Sequence, residues 1–352
     1  MQKSLWNYLA ETDKPIFLYG TGNGGDKIIS ALEKYDTRLT GIFASDGFVR
    51  DRYFHEYKVR AYSDVCEEYG DDIIVLLAFG TTLPEVIRFI EGLAARHELY
   101  IPDVPLYGGE LFDSAYHTAH LDDLNTAESL LYDEYSKKLF HDAVMFKLTG
   151  KPEYLNRTDS WECSLKELFS DRIIGTVIDG GAFKGDSTQL FAEVLNPESI
   201  IAVEADPRTF KKLQAYAVTE TRCKVHPVHA ALCDCDGELE YISSGSRGSA
   251  LDGQNHRAKT TFIPCCTIDA LCESKKADVI KLDIEGAEDK ALDGAEKTIL
   301  RDQPDLMISL YHRTEDFYAL ILRIHSLLPD HRLFLRRIPC IPMWDLTLYA
   351  IK

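Results

Sequence analysis

Residues able to hold a nucleotide-like ligand occur twice in this chain. In "LYGTGNGGDK", Gly20, Gly22 and Gly25 complete a G-x-G-x-x-G, and Asp46 follows in "IFASDGF". On pattern alone this is a dinucleotide loop with its ribose acid about 20 residues on. In "VIDGGAFKGDST", Asp179 ends an apolar strand, and Gly180, Gly181 and Gly185 turn the chain into a helix. Glycines let a backbone bend sharply and approach a ligand closely. The N–H groups of a helix start can meet a carboxylate or phosphate. Glu204 ends the next strand, again about 20 residues on, where an acid reaches ribose hydroxyls in a doubly wound fold.

A third set of residues carries candidate chemistry. "VIKLDIEGAE" places Lys281, Asp283 and Glu285 at the C-terminal end of a central strand, the ligand edge of such a sheet. A buried strand ending in three charges needs a reason. An ion pair of Lys281 with Glu285 or Glu288 is one, and Asp283 beside a reacting ligand is another. Glu285 precedes a glycine and could instead cap the helix beginning at Ala287. His312 ends the following strand, "ISLYH", where an imidazole with a pKa of about 6.5 suits proton removal. Tyr311 and Arg313 flank it as candidate acceptor contacts. Asp283, Glu285 and His312 could also hold a divalent cation. No second cluster of oxygen ligands is evident, so no metal is expected.

The second glycine loop fits a dinucleotide or S-adenosylmethionine, and three features favour the latter. Its turn lacks the regular G-x-G-x-x-G and begins with an acid, Asp179, that can answer a cationic ligand. The Lys-x-Asp-x-Glu strand faces the same edge. The chain ends in two strands, "HRLFLRR" and "WDLTLYAIK", with no helix between them. Such an antiparallel pair is what a class I methyltransferase sheet adds to a Rossmann sheet.

The elements that must position these residues alternate between strand and helix, which implies parallel sheets covered on both faces. The N-terminal set is "PIFLYG", "GDKIISALEKY", "RLTGIFAS", "DDIIVLLAF", "LPEVIRFIEGLAAR" and "HELYIPDVP". Residues 121–150 are charged, helical in period and end in Gly150. They read as a helical connector against the second domain. "GTVIDGG", "SIIAVEAD", "CKVHPVHAAL", "DVIKLDIEG" and "DLMISLYH" are strands of the second sheet. "GELEYISSG" and "TTFIPCCTI" are extra β segments around the loop "SGSRGSALDGQNHRAK". The expected fold is α/β with two Rossmann-like domains, the C-terminal one a class I methyltransferase sheet with an antiparallel final strand. The expected division is 1–120, a connector at 121–150, and 151–352.

A chain of 352 residues is long enough for two cores. Its formal net charge of -18 repels polyanions, which argues against nucleic-acid binding. No apolar run approaches the roughly 18 residues of a membrane span, and the start lacks a basic region followed by an apolar core. A cytoplasmic protein that does not bind membranes is expected. Six of the nine cysteines lie between Cys223 and Cys272, without the C-x2-C pairs of a zinc site. They read as free thiols, small hydrophobic residues in neighbouring strands.

"VIDGGAFKGDST", "VEADPRTFKKL", "HAALCDCDGELEYI", "CTIDAL" and "IKLDIEGAEDKALDGAEKTI", in this order and spacing, resemble the FkbM family of S-adenosylmethionine-dependent methyltransferases. The resemblance covers roughly residues 150–352, and the most specific piece runs from Lys281 to Glu288. It implies O-methylation of a hydroxyl on a sugar or other small molecule. It implies a cofactor site at Asp179, Gly180, Gly181, Gly185 and Glu204. Ala230 and Ala231 would then sit beside the adenine, and Asp234 would take its exocyclic amine. Asp283, His312, Lys281 and Glu285 would form the catalytic face. The segment from Gly41 to Val65 is similar to N-terminal domains of sugar-modifying enzymes. There Gly20, Gly22, Gly25 and Asp46 would hold a nucleotide-sugar or only shape an interface.

Two other readings stand beside this one. An oxidoreductase would use the first loop with NAD(P). A non-enzymatic interaction protein would keep the cofactor fold without turnover. Oligomeric state, including a homo-oligomer, is left open.

Overall fold

The computed structural model describes residues 3–49, 51–170, 172–243 and 259–352. The glycine- and serine-rich loop expected after Ser243 lies outside them.

The chain begins with α1 (Leu5–Glu11), then β1 (Ile16–Tyr19), α2 (Asn23–Lys34) and β2 (Gly41–Ala44). Next come β3 (Tyr53–Phe54), β4 (Tyr57–Ala61), α3 (Tyr62–Tyr69), β5 (Ile74–Leu77), α4 (Pro84–Arg96) and β6 (Glu98–Tyr100). The sheet order is β3-β4-β2-β1-β5-β6, parallel except for the short antiparallel edge β3. β1 and β5 are apolar at every position and fully buried, as central strands covered on both faces must be. α2 turns Gly25, Ile28, Ile29 and Leu32 inward, the spacing of one helix face. The β3–β4 edge was not read from the sequence, because "RYFHEYKVRA" mixes charges with its apolar residues.

Helices α5 (Ser114–Ala119), α6 (Leu121–Leu130) and α7 (Glu134–Thr149) follow. The expected helical stretch is broken at Leu131–Asp133, where the Tyr132 N–H donates to the Leu333 carbonyl at 2.7 Å. Asp133 then caps α7 through the Ser136 N–H and also accepts from the buried Arg336. Gly150 closes α7 in the left-handed conformation.

After α8 (Trp161–Leu168) come β7 (Thr176–Gly180), α9 (Asp186–Val194), β8 (Ser199–Glu204), α10 (Pro207–Thr219) and β9 (Lys224–His229). The chain continues through β10 (Ala231–Leu232), β11 (Gly237–Ser243), β12 (Lys259–Cys266), α11 (Ile268–Leu271) and β13 (Val279–Leu282). It ends with α12 (Glu288–Asp293), α13 (Glu296–Asp302), β14 (Asp305–Ser309), α14 (Asp316–Leu327), β15 (Arg332–Arg337) and β16 (Leu346–Ile351). The large sheet has the order β15-β16-β14-β13-β7-β8-β9. Its last strand, β16, runs antiparallel between β14 and β15. This is the class I methyltransferase sheet. The stretch expected as one strand, "CKVHPVHAAL", divides at Ala230. β9 stays in the large sheet, while β10 joins β11 and β12 in a small one.

The two sheets face each other across a continuous apolar core that includes Phe17, Phe140, Ile280 and Phe317. Lys147 of α7 pairs with Asp103 at 3.0 Å and lies 5.7 Å from the Phe317 ring centroid. The β15–β16 loop reaches back to the N-terminal sheet, where Ile341 and Thr81 exchange backbone hydrogen bonds of 2.7 and 3.0 Å. Among the described residues, no helix is long and apolar enough to cross a membrane. All nine cysteines are free.

Candidate active site

A cavity of about 950 Å³ lies between the two sheets. It stands at the upper end of the roughly 300–1,000 Å³ of small-molecule sites. One wall comes from the carboxyl ends of β7, β8 and β13, the other from the N-terminal domain.

The second glycine loop builds the first wall. Gly181 has φ +74°, and a Cβ there would lie 1.9 Å from the Asp283 carbonyl oxygen. Only glycine lets the β7 loop pass this close to the β13 loop. Gly185 has φ +104° at the start of α9, against the Tyr216 ring. Gly181 lines the cavity, while Gly180 and Gly185 set the loop behind it.

Asp179 does not line the cavity and is fully buried. Its carboxylate accepts from Ser187 (2.7 Å) and Thr188 (2.6 Å) of α9 and pairs with Lys281 at 3.2 Å. It ties the loop, α9 and β13 together, which corrects the expectation that it meets a cationic ligand directly. Lys281 donates to the carbonyls of Gly180 (3.0 Å) and Gly181 (2.9 Å). Its partner is therefore Asp179, and neither Glu285 nor Glu288 takes that place. Burial disfavours its charge, but Asp179 and Asp283 outweigh burial and hold its pKa above the ordinary value.

Glu204, at the end of β8, lines the cavity. Its two oxygens accept from the backbone N–H groups of Phe183 (2.9 Å) and Asp206 (2.8 Å). Burial pushes its pKa up to about 7, only partly offset by those hydrogen bonds. Each carboxylate oxygen has a second lone pair for a ligand hydroxyl. Ala230 and Ala231 also line the cavity. Asp234, expected beside the adenine amine, does not: it is exposed and accepts from the Cys233 thiol at 3.0 Å.

Asp283, Glu285 and Tyr311 line the cavity at the end away from Glu204's strand. Tyr311 donates to Asp283 Oδ1 at 2.9 Å. Burial opposes the Asp283 charge, but Lys281 and His312 outweigh it and keep the carboxyl below its usual range. Glu285 sits at φ +60° and accepts from the hydroxyl of Tyr107, a residue of the N-terminal half, at 2.6 Å. Burial raises its pKa. Glu285 does not cap α12; Glu288 turns back to accept from the Ile284 N–H at 2.8 Å. Arg313 donates to the Gly286 carbonyl at 2.9 Å and lies outside the cavity lining.

His312 is fully buried beneath these residues. Its Nδ1 lies 2.9 Å from Glu288, and its Nε2 lies 3.5 Å from both Asp283 and Glu285. Burial favours the neutral ring, but Glu288, Glu285 and Asp283 outweigh it and lift its pKa to about 10. The carboxylates around it strengthen this ring's hold on a proton relative to the free imidazole expected from the sequence.

The N-terminal wall brings Thr21, Asn23, Gly24 and Lys27 to the cavity, together with Phe79 and Tyr107. Gly20, Gly22 and Gly25 do not line it. Gly20 packs on Phe79 and Gly25 on Phe54, so these glycines serve the strand-to-helix turn. Lys27 donates to the Pro105 and Leu106 carbonyls. Asp46 is outside the cavity lining and accepts from the Ser63 N–H at 2.9 Å, at the start of α3. Tyr107 and the Trp344–Asp345 end of the β15–β16 loop were missed by the sequence reading. No local motif marks them, since long-range folding alone brings them to the site.

The sheet order and the acid-bearing strand ends define a class I methyltransferase fold. Residues 179–337 match the family model described as the methyltransferase FkbM domain. A crystal structure of methyltransferase FkbM from Methylobacillus flagellatus KT is similar in fold at 20% identity. The match covers 96% of this chain and 90% of that one, with a TM-score of 0.70. An rRNA methylase from Streptococcus thermophilus matches 57% of this chain and 96% of its own at 14% identity, with a TM-score of 0.35. Aeropyrum pernix fibrillarin, solved with bound S-adenosyl-L-methionine, matches 54% and 73% at 13% identity, with a TM-score of 0.30. No match was found among curated proteins.

Proposed function

We propose that the protein transfers the methyl group of S-adenosylmethionine to a hydroxyl oxygen of a sugar or other small hydroxylated molecule. One observation carries the reading. The Glu204 carboxylate is fixed by two backbone N–H groups at a strand end and faces the same cavity as Asp283 and Glu285. The ribose would donate its hydroxyls to Glu204, and the adenine would lie against Ala230 and Ala231. The sulfonium would then point towards Asp283. Phe79, Tyr107 and Trp344 give the acceptor apolar faces, and Asp283, Glu285 and Asp345 accept from its hydroxyls.

The reaction is an in-line displacement. The acceptor oxygen forms a bond to the methyl carbon as the carbon–sulfur bond breaks. Its electron pair stays on sulfur, leaving a neutral thioether. The hydroxyl proton passes to the Asp283–Glu285 carboxylates, which line the cavity. Orientation between the two walls supplies most of the rate. Asp46 lies outside the cavity lining, which speaks against a dinucleotide held in this cavity by the first loop.

A labelled-methyl transfer screen against fractionated cell extract tests the reading. Label from S-adenosylmethionine should enter a base-stable, hydroxyl-derived ether. Label on nitrogen, on carbon or on no acceptor would overturn it.

A further inference from the structure

We propose that His312, with the carboxylates of Asp283, Glu285 and Glu288 around it, forms a divalent-cation site at the acceptor end of the cavity. The purpose of this site rests on the methyl-transfer reading; its existence does not.

The geometry is that of a ligand set. Metal–nitrogen and metal–oxygen bonds of about 2.0–2.2 Å put neighbouring ligand atoms roughly 3.0–3.5 Å apart. His312 Nε2 stands 3.5 Å from Asp283 Oδ1 and 3.5 Å from Glu285 Oε2. Donor atoms of Asp283, Glu288 and His312 all lie within 4.8 Å of one another. Glu288 Oε1 stands 2.9 Å from the other ring nitrogen, Nδ1.

A second observation is independent of the acidic cluster. The His312 ring is wholly buried, and neither Nδ1 nor Nε2 makes a hydrogen bond. Nε2 is aimed between two carboxylates at 3.5 Å, too long for a direct bond and suited to an atom in between. The second oxygen of Glu288 is buried and without a hydrogen bond as well. Such groups are costly to leave unsatisfied.

Charge points the same way. Asp283, Glu285, Glu288 and Asp316 face one imidazole. The neighbouring cations are committed elsewhere: Lys281 pairs with Asp179, and Arg313 donates to Gly286. The ligands are also pre-positioned. Tyr311 holds Asp283, Tyr107 holds Glu285, and the Ile284 N–H holds Glu288. Asp283 and Glu285 line the cavity, which gives an ion its entry. One imidazole with two carboxylates suits Mn²⁺ or Zn²⁺. A hydroxyl bound to the cation would release its proton more readily to a carboxylate of the cluster, and the resulting oxygen would take the methyl carbon as the carbon–sulfur bond breaks onto sulfur. The other candidate cluster, Cys233-Asp234-Cys235, is three consecutive residues on a largely exposed turn and serves as the control.

The test uses the full chain, stripped with a chelator and titrated with Mn²⁺ by electron paramagnetic resonance, without S-adenosylmethionine. Zn²⁺ binding is followed in parallel by equilibrium dialysis. One site per chain is expected. His312→Ala and Glu285→Gln should each weaken it at least about tenfold, the loss seen even for outer partners of a metal. Circular dichroism should show both variants folded; Glu285 is partly exposed, so its variant stands if the histidine variant unfolds. A Cys233→Ser/Cys235→Ser variant should bind as wild type does. The proposal is overturned if neither ion binds at millimolar concentration, if binding survives Glu285→Gln unchanged, or if the cysteine variant loses it. A chain that binds Mn²⁺ here but never binds S-adenosylmethionine would uphold the cation site and sink the methyl-transfer reading. The reverse result would sink the cation site alone.

Discussion

At Gly22 of the first glycine loop an added methyl group would meet nothing within 4 Å, whereas at Gly181 of the second it would lie 1.9 Å from the Asp283 carbonyl. The acid after the first loop, Asp46, is taken up by the start of a neighbouring helix. The acid after the second, Glu204, is held by two backbone N–H groups and still faces the cavity. The loop with the regular motif shapes a wall. The irregular one holds the groups whose geometry suits a cofactor. A glycine pattern reports a strand-to-helix turn; the company of its acid reports whether the turn holds a ligand.

Substitutions can break this contrast. The largest effect is expected at Gly181→Ala, where a steric clash adds to a positive φ. Urea denaturation should show a loss of about 3–5 kcal/mol or no folded protein. Gly22→Ala carries the φ cost alone, about 1–2 kcal/mol. Equal losses at both positions would remove the contrast.

Next comes the acid pair. Glu204→Ala should weaken S-adenosylmethionine binding by roughly tenfold to a hundredfold in isothermal titration, the value of about 1.5–3 kcal/mol for hydrogen bonds to a charged group. Asp46→Ala should leave that affinity within twofold.

A smaller effect is expected at Tyr107→Phe. Losing its hydrogen bond to Glu285 should lower kcat by about fivefold to tenfold, near 1 kcal/mol, while the KM for S-adenosylmethionine stays unchanged. A rise in that KM instead would place Tyr107 at the cofactor end.

A graded effect is expected with pH. Burial holds the Glu204 pKa up at about 7, above its ordinary 4.5. The folded protein therefore binds a proton more tightly than the unfolded chain. This group's contribution to stability falls as pH rises from about 4.5 to 7. Cofactor binding uses the ionised form, so affinity should fall by up to tenfold per unit below about pH 7 and level off above it. Glu204→Gln should flatten that slope in titrations at several pH values.

Much of the second domain is legible in the sequence because its strands are apolar runs bounded by glycines and acids, as in "GTVIDGG" and "SIIAVEAD". Other features are hidden for particular reasons. The helix expected over "AEDKALDGAEKTIL" breaks before Ala295. At Gly294 a Cβ would lie 2.0 Å from the Cys233 carbonyl, a contact no local period reveals. The strand "CKVHPVHAAL" splits because Ala231 and Leu232 pair with Cys265 and Cys266 of β12. The acids at strand ends are visible by spacing, but their partners are not. Asp179 and Lys281 are about a hundred residues apart, as the spacing of 101 between Lys281 and Gly180 makes plain. Tyr107 and Glu285 are separated by 178. The protonation of His312 likewise depends on three carboxylates that only the fold collects.

The central claim is that the second loop, and not the first, holds the reacting cofactor. Isothermal titration of the full chain with S-adenosylmethionine and, separately, with NAD(H) tests it most directly. The account predicts one S-adenosylmethionine per chain, weakened at least about tenfold in Glu204→Ala and kept in Asp46→Ala, with no heat from NAD(H). Binding of NAD(H) that survives Glu204→Ala and disappears in Asp46→Ala would contradict it.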